Sequence, residues 1–317
     1  MQSLGNSKSN KRQFFNQFVR RRRRSTADHA LLKLHMASVG KIDYQAIREL
    51  CPDKWREDLE FLLRFVEDAE FLDRICSHEP REYVDNRGTD LSAADIDTML
   101  STNNFATAKA AKLLGHVFTV PEVAKERRRQ IYWPKQLNRL IEQWLGGKPP
   151  ITLEDTAVHT RSVRPNTVAR TYDLTKSFLQ LPLAEAVRPY FAFVYDKKVY
   201  VNTTVPMGCI FAPALMHLIM KILAYNEIDG VVTEVHIDNA RFQGANSDEV
   251  RRAAERFLDR CRRANVSVND EPQNAEHTIG VFLGAETDYV RGVSRVAEKT
   301  ISKIKTEKQI ALSDDAT

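Results

Sequence analysis

The hydrophobic pattern separates a helical first third of the chain from a mixed second part. Apolar residues recur at spacings of three and four over residues 59–75, which predicts one amphipathic helix. Ser92, followed three residues later by Asp95, predicts a capped helix that runs to residue 100. We therefore predict a helical region over residues 28–115 and assign no chemistry to it.

Short strands alternate with helices after residue 115. Strands are predicted at residues 117–120, 131–133, 169–173, 191–194, 199–203, 231–237, 240–243 and 280–285. Helices are predicted at residues 138–145, 174–179, 212–226 and 248–264. This order predicts an α+β fold with a central antiparallel sheet. The segment 231–243 predicts a hairpin whose tight turn lies at Asp238-Asn239, because Asp and Asn tolerate positive φ.

Composition limits the classes of protein that fit. The chain has 317 residues, of which 43% are hydrophobic, as in a globular protein with a buried core. No apolar run reaches the length of about 18 residues that a membrane-spanning helix needs. The four cysteines form no CxxC pair, so neither a zinc site nor a disulfide framework is expected. A reducing compartment is the simplest interpretation.

The net charge of +5 comes from the N-terminus. Residues 1–27 hold eight of the 47 Lys and Arg and no acid, so the remainder has 39 basic and 42 acidic residues, a net of −3. We predict a disordered basic tail that contacts nucleic acid without sequence preference. The five arginines at residues 20–24 also fit a nuclear localisation signal or a mitochondrial transit peptide, and a solvated arm is the plain alternative.

Two acidic residues stand out by their positions. Asp173 ends a predicted strand and Asp238 lies in the predicted hairpin turn. Taken alone, Asp173 also suits a helix cap and Asp238 a turn former. Four further signals appear in a fixed order around them. They are Phe178, then Pro206-Met207-Gly208, then Ala212-Pro213, and finally Phe282-Leu283-Gly284.

In this order and spacing, the signals resemble the palm of reverse transcriptases over about residues 116–290. Within that family, the pattern resembles retroelement enzymes, including those of tyrosine-recombinase, DIRS-like elements such as trypanosomatid VIPER. The resemblance implies a right-hand polymerase fold with fingers and palm at residues 116–290. Residues 291–317 would then be the start of a truncated thumb or a tail.

The resemblance also implies a two-metal site for nucleotidyl transfer. Asp173 and Asp238 would be the catalytic carboxylates, and Leu174 and Asn239 would join them in holding two Mg²⁺ ions, with Mn²⁺ as an alternative. Phe178 would exclude a ribose 2′-hydroxyl. The remaining implied residues are Arg127, Arg128 and Arg129 for the triphosphate, Met207 and Gly208 for the base pair, and Phe282, Leu283 and Gly284 as the primer grip.

The implied partners are an RNA template, a DNA primer and deoxynucleoside triphosphates, without a membrane. Nucleus or cytoplasm is the expected location, with the mitochondrion as the alternative. Three positions depart from the family pattern. Asn239 replaces a second Asp, His236 replaces an aromatic residue, and residues 265–274 lack a lysine. A thumb and an RNase H would come from elsewhere. The alternative function is therefore a weak or inactive retroelement-derived remnant that binds nucleic acid or protein.

Overall fold

Eight α-helices and twelve strands form the part of the chain that the computed structural model describes, which is residues 32–77, 89–122, 126–149, 151, 153–154, 156–302 and 304. The helices are α1 (Tyr44–Leu50), α2 (Arg56–Glu67), α3 (Ala69–Cys76), α4 (Ala93–Ser101), α5 (Lys135–Leu145), α6 (Thr156–Arg161), α7 (Ala212–Ala224) and α8 (Ser247–Arg263). The strands are β1 (Lys33–Leu34), β2 (Phe105–Ala108), β3 (His116–Glu122), β4 (Arg127–Trp133), β5 (Val168–Asp173), β6 (Ala192–Tyr195), β7 (Lys198–Asn202), β8 (Val231–His236), β9 (Asn239–Gly244), β10 (Ile279–Phe282), β11 (Ala285–Asp288) and β12 (Val293–Val296). The predicted basic tail lies outside the described residues, as does most of 303–317.

Four three-stranded sheets organise these strands. Their orders are β1-β4-β3, β2-β7-β6, β5-β9-β8 and β10-β11-β12. All the pairs within them are antiparallel except β1 with β4, which is parallel. The sheet of β5, β9 and β8, called the central sheet below, carries both predicted catalytic carboxylates. The α+β class that the sequence predicts is therefore confirmed.

The central sheet has one face covered by helices. Helices α7 and α8 pack on it, and Ala240 and Phe242 of β9 are buried on that side. The ring of Phe242 lies 5.6 Å from that of Phe257 in α8, centroid to centroid. Because side chains alternate along a strand, Asn239 and Arg241 face the opposite side of the sheet.

The apolar stripe at residues 59–75 forms two helices, not the single helix predicted. Asp68 separates α2 from α3 in an extended conformation, and its Oδ1 accepts a hydrogen bond from the Phe71 N–H at 2.8 Å. A side-chain cap of this kind satisfies a backbone donor that a new helix would leave free. Phe65 of α2 stacks on Phe211 at 4.9 Å, which joins these helices to the start of α7. Among the residues described, no helix combines the length and apolar character needed to cross a membrane.

Other predicted elements also differ from the observed ones. Residues 174–179 contain a 3-10 turn over Ser177–Gln180 instead of a helix. Residues 280–285 are not one strand but the turn of the β10–β11 hairpin, because Leu283 and Gly284 both have positive φ, as a two-residue turn of this kind requires. The N-terminal region predicted to be helical also contains the strands β1 and β2.

Candidate active site

The register of the central sheet brings Asp173 and Asp238 together. Asp173 is the last residue of β5 and pairs with Asn239, the first residue of β9. Asp238 is the neighbour of Asn239 in the turn between β8 and β9. The Leu174 N–H donates to the Asp238 carbonyl oxygen at 3.1 Å, which ties the end of β5 to that turn. Two residues 65 positions apart thus share one end of the sheet.

Amide and hydroxyl donors surround both carboxylates. Asn269 Nδ2 donates to Asp173 Oδ2 at 2.6 Å. Ser177 Oγ donates to Asp238 Oδ2 at 2.7 Å, and Asn239 Nδ2 donates to Asp238 Oδ1 at 3.0 Å. Partial burial, together with the negative charge of Asp238, raises the pKa of Asp173 to about 6 despite the bond from Asn269. A divalent cation between the carboxylates would relieve both effects.

The donor set fits a hard divalent cation through its two carboxylates. Oxygen ligands are the ones that Mg²⁺ prefers, and Leu174 lines the same cleft as Asp173 and Asp238. Within the described ranges, no third Asp, Glu, His or Cys completes a metal-binding cluster with them. Asn239, predicted to be a further ligand, here turns its amide NH₂ group towards Asp238.

The turn that carries Asp238 has a strained backbone. Its two central residues are Ile237 and Asp238 and not the predicted Asp238 and Asn239, since His236 pairs directly with Asn239. Ile237 has φ of +53°, a left-handed conformation that β-branched residues rarely adopt. Strain of this kind persists only where the surrounding structure holds it.

A histidine on α7 holds this turn from behind. The Ile237 N–H donates to His217 Nδ1 at 3.2 Å. Burial lowers the pKa of His217 to about 4, which keeps the imidazole neutral and Nδ1 able to accept the bond. The sequence analysis noticed His217 only as a polar residue in an apolar stretch. Its role depends on a contact across 20 residues of chain.

The loop after α8 supports Asp173. Thr175 Oγ1 donates to Asn269 Oδ1 at 2.8 Å, which orients the Asn269 amide with its NH₂ towards Asp173. Gln180, which is fully buried, donates to the carbonyl oxygens of Thr175 and Ser267 and accepts from the Ser267 N–H at 2.7 Å. Neither Asn269 nor Gln180 belonged to the predicted site.

A cleft of about 370 Å³ opens in front of the carboxylates. Its lining includes Asp173, Leu174, Phe178, Met207, Asp238 and Arg129 from the predicted set, together with His35, Met36 and Phe105 from the N-terminal region. The predicted residues Arg127, Arg128, Gly208 and Asn239 are not among the lining residues. The N-terminal region therefore contributes to the cleft, although the sequence analysis assigned no chemistry to it.

Comparison with known proteins identifies the family. The model of the family described as reverse transcriptase (RNA-dependent DNA polymerase) matches residues 125–286, half of the chain. The chain belongs to the reverse transcriptase family. No curated protein matches the sequence.

Solved structures show the same fold at low identity. A foamy viral protease–reverse transcriptase, in its dRH form bound to double-stranded DNA, shares 18% identity with a TM-score of 0.56, over 86% of this chain and 50% of that one. A foamy viral protease–reverse transcriptase bound to double-stranded DNA has the same identity and TM-score, over 86% and 60% of the two chains. The complex of such an enzyme with an RNA/DNA hybrid has 16% identity and a TM-score of 0.53, over 86% and 38%. The chain thus spans about half the length of these structures, and the shared fold is that of palm and fingers.

The three arginines predicted to bind triphosphate occupy different environments in this reverse transcriptase. Arg128 is buried, and its Nη2 donates to Asp95 Oδ1 at 2.7 Å. Arg127 and Arg129 point to the other side of β4 and share the carboxylate of Glu122. Arg129 also approaches Met207, with Nη1 4.0 Å from Sδ. Among the three, the structure brings Arg129 to the cleft.

Gly208 is required by the approach of two backbones. Its φ is +111°, and a Cβ at this position would lie 2.5 Å from the carbonyl oxygen of Tyr132 in β4. Asn138 of α5 fastens the same loop, donating to the Gly208 carbonyl oxygen at 2.8 Å and accepting from the Ile210 N–H at 2.9 Å. Gly208 thereby sets the distance between the loop carrying Met207 and the strand carrying Arg129.

The predicted primer grip is joined to the catalytic hairpin. Phe282 is buried, with its ring 4.7 Å from the Arg241 guanidinium and 5.6 Å from the ring of His159. Arg241 Nε donates to Glu234 Oε2 at 2.6 Å, and His159 Nδ1 lies 3.1 Å from Glu234 Oε1. Since Glu234 and Arg241 belong to β8 and β9, this buried network fixes the β10–β11 hairpin against the strands that carry Asp238.

Proposed function

We propose that this chain catalyses RNA-directed DNA synthesis by two-metal nucleotidyl transfer. The observation that carries the proposal is the juxtaposition of Asp173 and Asp238 at the end of adjacent strands, facing a cleft that Arg129 also lines. Phosphoryl transfer needs cations at the reacting phosphate and positive groups for the remaining charge. Membership of the reverse transcriptase family supports this reaction class.

Mg²⁺ is the proposed cofactor, and Mn²⁺ is the alternative. Asp173 and Asp238 would hold the ions, with the Leu174 carbonyl oxygen as a further ligand. When bound, the two ions stabilise the attacking and leaving oxygens of the displacement. The chain itself orients the carboxylates through Asn269 and Ser177. Asn239 adds a dipole near the ions where a second carboxylate would add a charge.

The substrates proposed are deoxynucleoside triphosphates paired to an RNA template at the end of a DNA primer. Arg129 would contact the triphosphate, and Phe178, partly buried in the cleft wall, would exclude the 2′-hydroxyl. Met207 would lie under the templating base pair. The turn at Leu283 and Gly284 would steady the primer end. The foamy viral structures were determined with double-stranded DNA and with an RNA/DNA hybrid, which supports this class of partner.

Primer extension on an RNA template tests the proposal. We expect magnesium-dependent extension by the wild-type chain and none by Asp173→Ala. Asp270→Ala is the matched control, because Asp270 is an exposed neighbour of Asn269 and does not line the cleft. Equal extension by the wild type and Asp173→Ala, or none by either, would refute the proposal.

A second function is favoured by one observation, the amide at Asn239 within a site that has two carboxylates. A retroelement-derived remnant that binds nucleic acid without catalysis would show the same geometry. Asn239→Asp separates the two functions, since an added charge strengthens cation binding where an amide acts only through its dipole. We expect Asn239→Asp to increase extension and to add thermal stabilisation by Mg²⁺. If neither rises while binding to an RNA/DNA hybrid persists, the remnant is the correct function.

The origin of the chain is also a proposal. The order of motifs from Asp173 to Gly284 supports descent from a retroelement, and the genomic sequence on both sides of the coding region would test it. For location, we propose the nucleus or cytoplasm, with the arginine-rich N-terminus favouring the mitochondrion as the alternative. Imaging of a fusion with and without residues 1–27 would decide between them.

A further inference from the structure

An N-terminal segment crosses from the sheet of β4 to the neighbourhood of the central sheet. We call residues 32–43 the N-terminal strap. The His35 N–H donates to the Arg128 carbonyl oxygen at 2.8 Å, and Asn104 Nδ2 donates to the Ala37 carbonyl oxygen at 2.9 Å. Further along, the Ile42 N–H donates to the Gln180 carbonyl oxygen at 2.8 Å. The strap is therefore held at both ends, and its middle forms part of the cleft wall.

Within the cleft, the strap meets a lysine that lies three residues after Asp173. The Nζ of Lys176 contacts Nε2 of His35, and both residues line the cleft. Lys176 has φ of +49°, in the left-handed region that a residue with a side chain adopts only when the fold holds it there. The backbone at this position is thus constrained, and the ammonium group lies in the same cleft as Asp173 and Asp238.

The charges in this cleft suit a polyphosphate chain. Its lining includes two carboxylates, Asp173 and Asp238, and two side chains with permanent positive charge, Arg129 and Lys176. Arg129 shares Glu122 with Arg127, so part of its charge is already compensated. A polyphosphate bound through cations at the carboxylates would need positive groups for its remaining oxygens. An ammonium group provides three donors and an imidazole can add one more.

We propose that Lys176 and His35 form a polyphosphate-binding pair that contacts the phosphate tail of the incoming nucleotide. Lys176 supplies the charge, and His35 holds its ammonium group in the cleft and donates through the imidazole. The inference rests on the proposed nucleotidyl transfer, since it names further groups for the same substrate. It also gives the N-terminal strap a role in substrate binding.

Calorimetric titration of the full chain with inorganic tripolyphosphate, at low ionic strength and with Mg²⁺, tests the pair without requiring catalysis. We expect Lys176→Ala to bind at least about tenfold more weakly, the loss expected for a charge-assisted hydrogen bond. Lys176→Arg should retain most of the affinity. Lys198→Ala is the matched control, because Lys198 is exposed at the start of β7 and does not line the cleft.

His35→Ala and the double variant test whether the two residues act as a unit. We expect the double variant to lose little more affinity than Lys176→Ala alone, since residues in contact are not additive. A wild-type chain that does not bind tripolyphosphate overturns the proposal. Variants that lower the melting temperature but keep wild-type affinity also overturn it, because the pair then only fastens the strap. Primer extension by Asp173→Ala is a separate measurement, so failure of this inference and failure of the proposed function are distinguishable.

Discussion

The two walls of the cleft are built in different ways. The carboxylate wall, formed by Asp173 and Asp238, comes from two adjacent strands of the central sheet, and one β-pairing register aligns them. The opposite wall, formed by His35, Arg129 and Met207, is assembled from three separate segments of chain. A sheet register is a local and strongly specified property. A wall made from distant segments depends on how whole elements pack, so its residues are harder to recognise from the sequence.

The comparison also shows that equal residue types do not have equal roles. On the carboxylate wall, every side chain around Asp173 and Asp238 is oriented by a hydrogen bond from a neighbour. On the opposite wall, three consecutive arginines divide between a buried ion pair, a shared surface carboxylate and the cleft. The strand alternation separates Arg128 from the other two.

The largest effect is expected from Arg128→Ala. It would leave Asp95 buried without its partner, and breaking a buried ion pair costs about 3–5 kcal/mol. We expect a fall of this size in the free energy of unfolding, measured by urea denaturation. Arg127→Ala is the control and should cost less than about 1 kcal/mol, because Glu122 keeps Arg129 as a partner. Equal losses for both variants would mean that the arginines are equivalent and that the contrast within this wall is wrong.

A smaller effect, on the carboxylate wall, is expected from His217→Leu. The variant leaves the Ile237 N–H without its acceptor, at a cost of about 1–3 kcal/mol. Because this bond holds the turn of Asp238, we expect the kcat of primer extension to fall roughly tenfold, with little change in the KM for nucleotide. His217→Gln retains an acceptor and should recover much of the activity. Loss of stability without a change in kcat would show that His217 is merely a packing residue.

Phe178→Ala tests the part of the cleft between the two walls. If the ring excludes the 2′-hydroxyl, its removal should reduce discrimination against ribonucleotides by on the order of ten- to a hundredfold. The measurement is the ratio of kcat/KM for deoxyribonucleotide and ribonucleotide. Leu179→Ala, which also truncates a cleft-lining side chain, is the control. An unchanged ratio in Phe178→Ala would reduce the ring to a core residue.

The smallest effect concerns the pH dependence of stability without metal. The folded state raises the pKa of Asp173 from its ordinary value of 3.8 to about 6, so the folded chain binds more protons there than the unfolded chain between these values. The contribution of Asp173 to stability therefore decreases as pH rises from about 4 to 6. His217 has the opposite slope in this window, because burial lowers its pKa to about 4.

The difference between the wild type and Asp173→Asn isolates the carboxyl group. We expect the melting temperature of Asp173→Asn, measured in a chelator, to rise relative to the wild type as pH increases from 4 to 6. Mg²⁺ should reverse this trend in the wild type by stabilising the charged carboxylate. Parallel melting curves for the two proteins across this range would show that the carboxyl is not perturbed.

Local patterns were sufficient for much of the carboxylate wall. The sequence by itself determined that β5 ends at Asp173 and that β8 and β9 form a hairpin with Asp238 in its turn, because strand alternation and turn chemistry are short-range properties. It also determined the capping box of Ser92 and Asp95, and the end of α5 at Gly146. The turn itself was displaced by one residue, since propensity favours Asp and Asn at positive φ whereas the register places Ile237 there.

Only the tertiary structure decided the rest of the cleft. Arg128 and Arg129 are adjacent and identical in type, and their separation follows from what packs on each face of β4. His35, Gln180, His217 and Asn269 carry no local signal, because each acts through a hydrogen bond to a residue far away in the sequence. Short-range sterics and hydrogen bonding specify helices, turns and strand register, whereas a cleft between elements exists only after the core has fixed their positions.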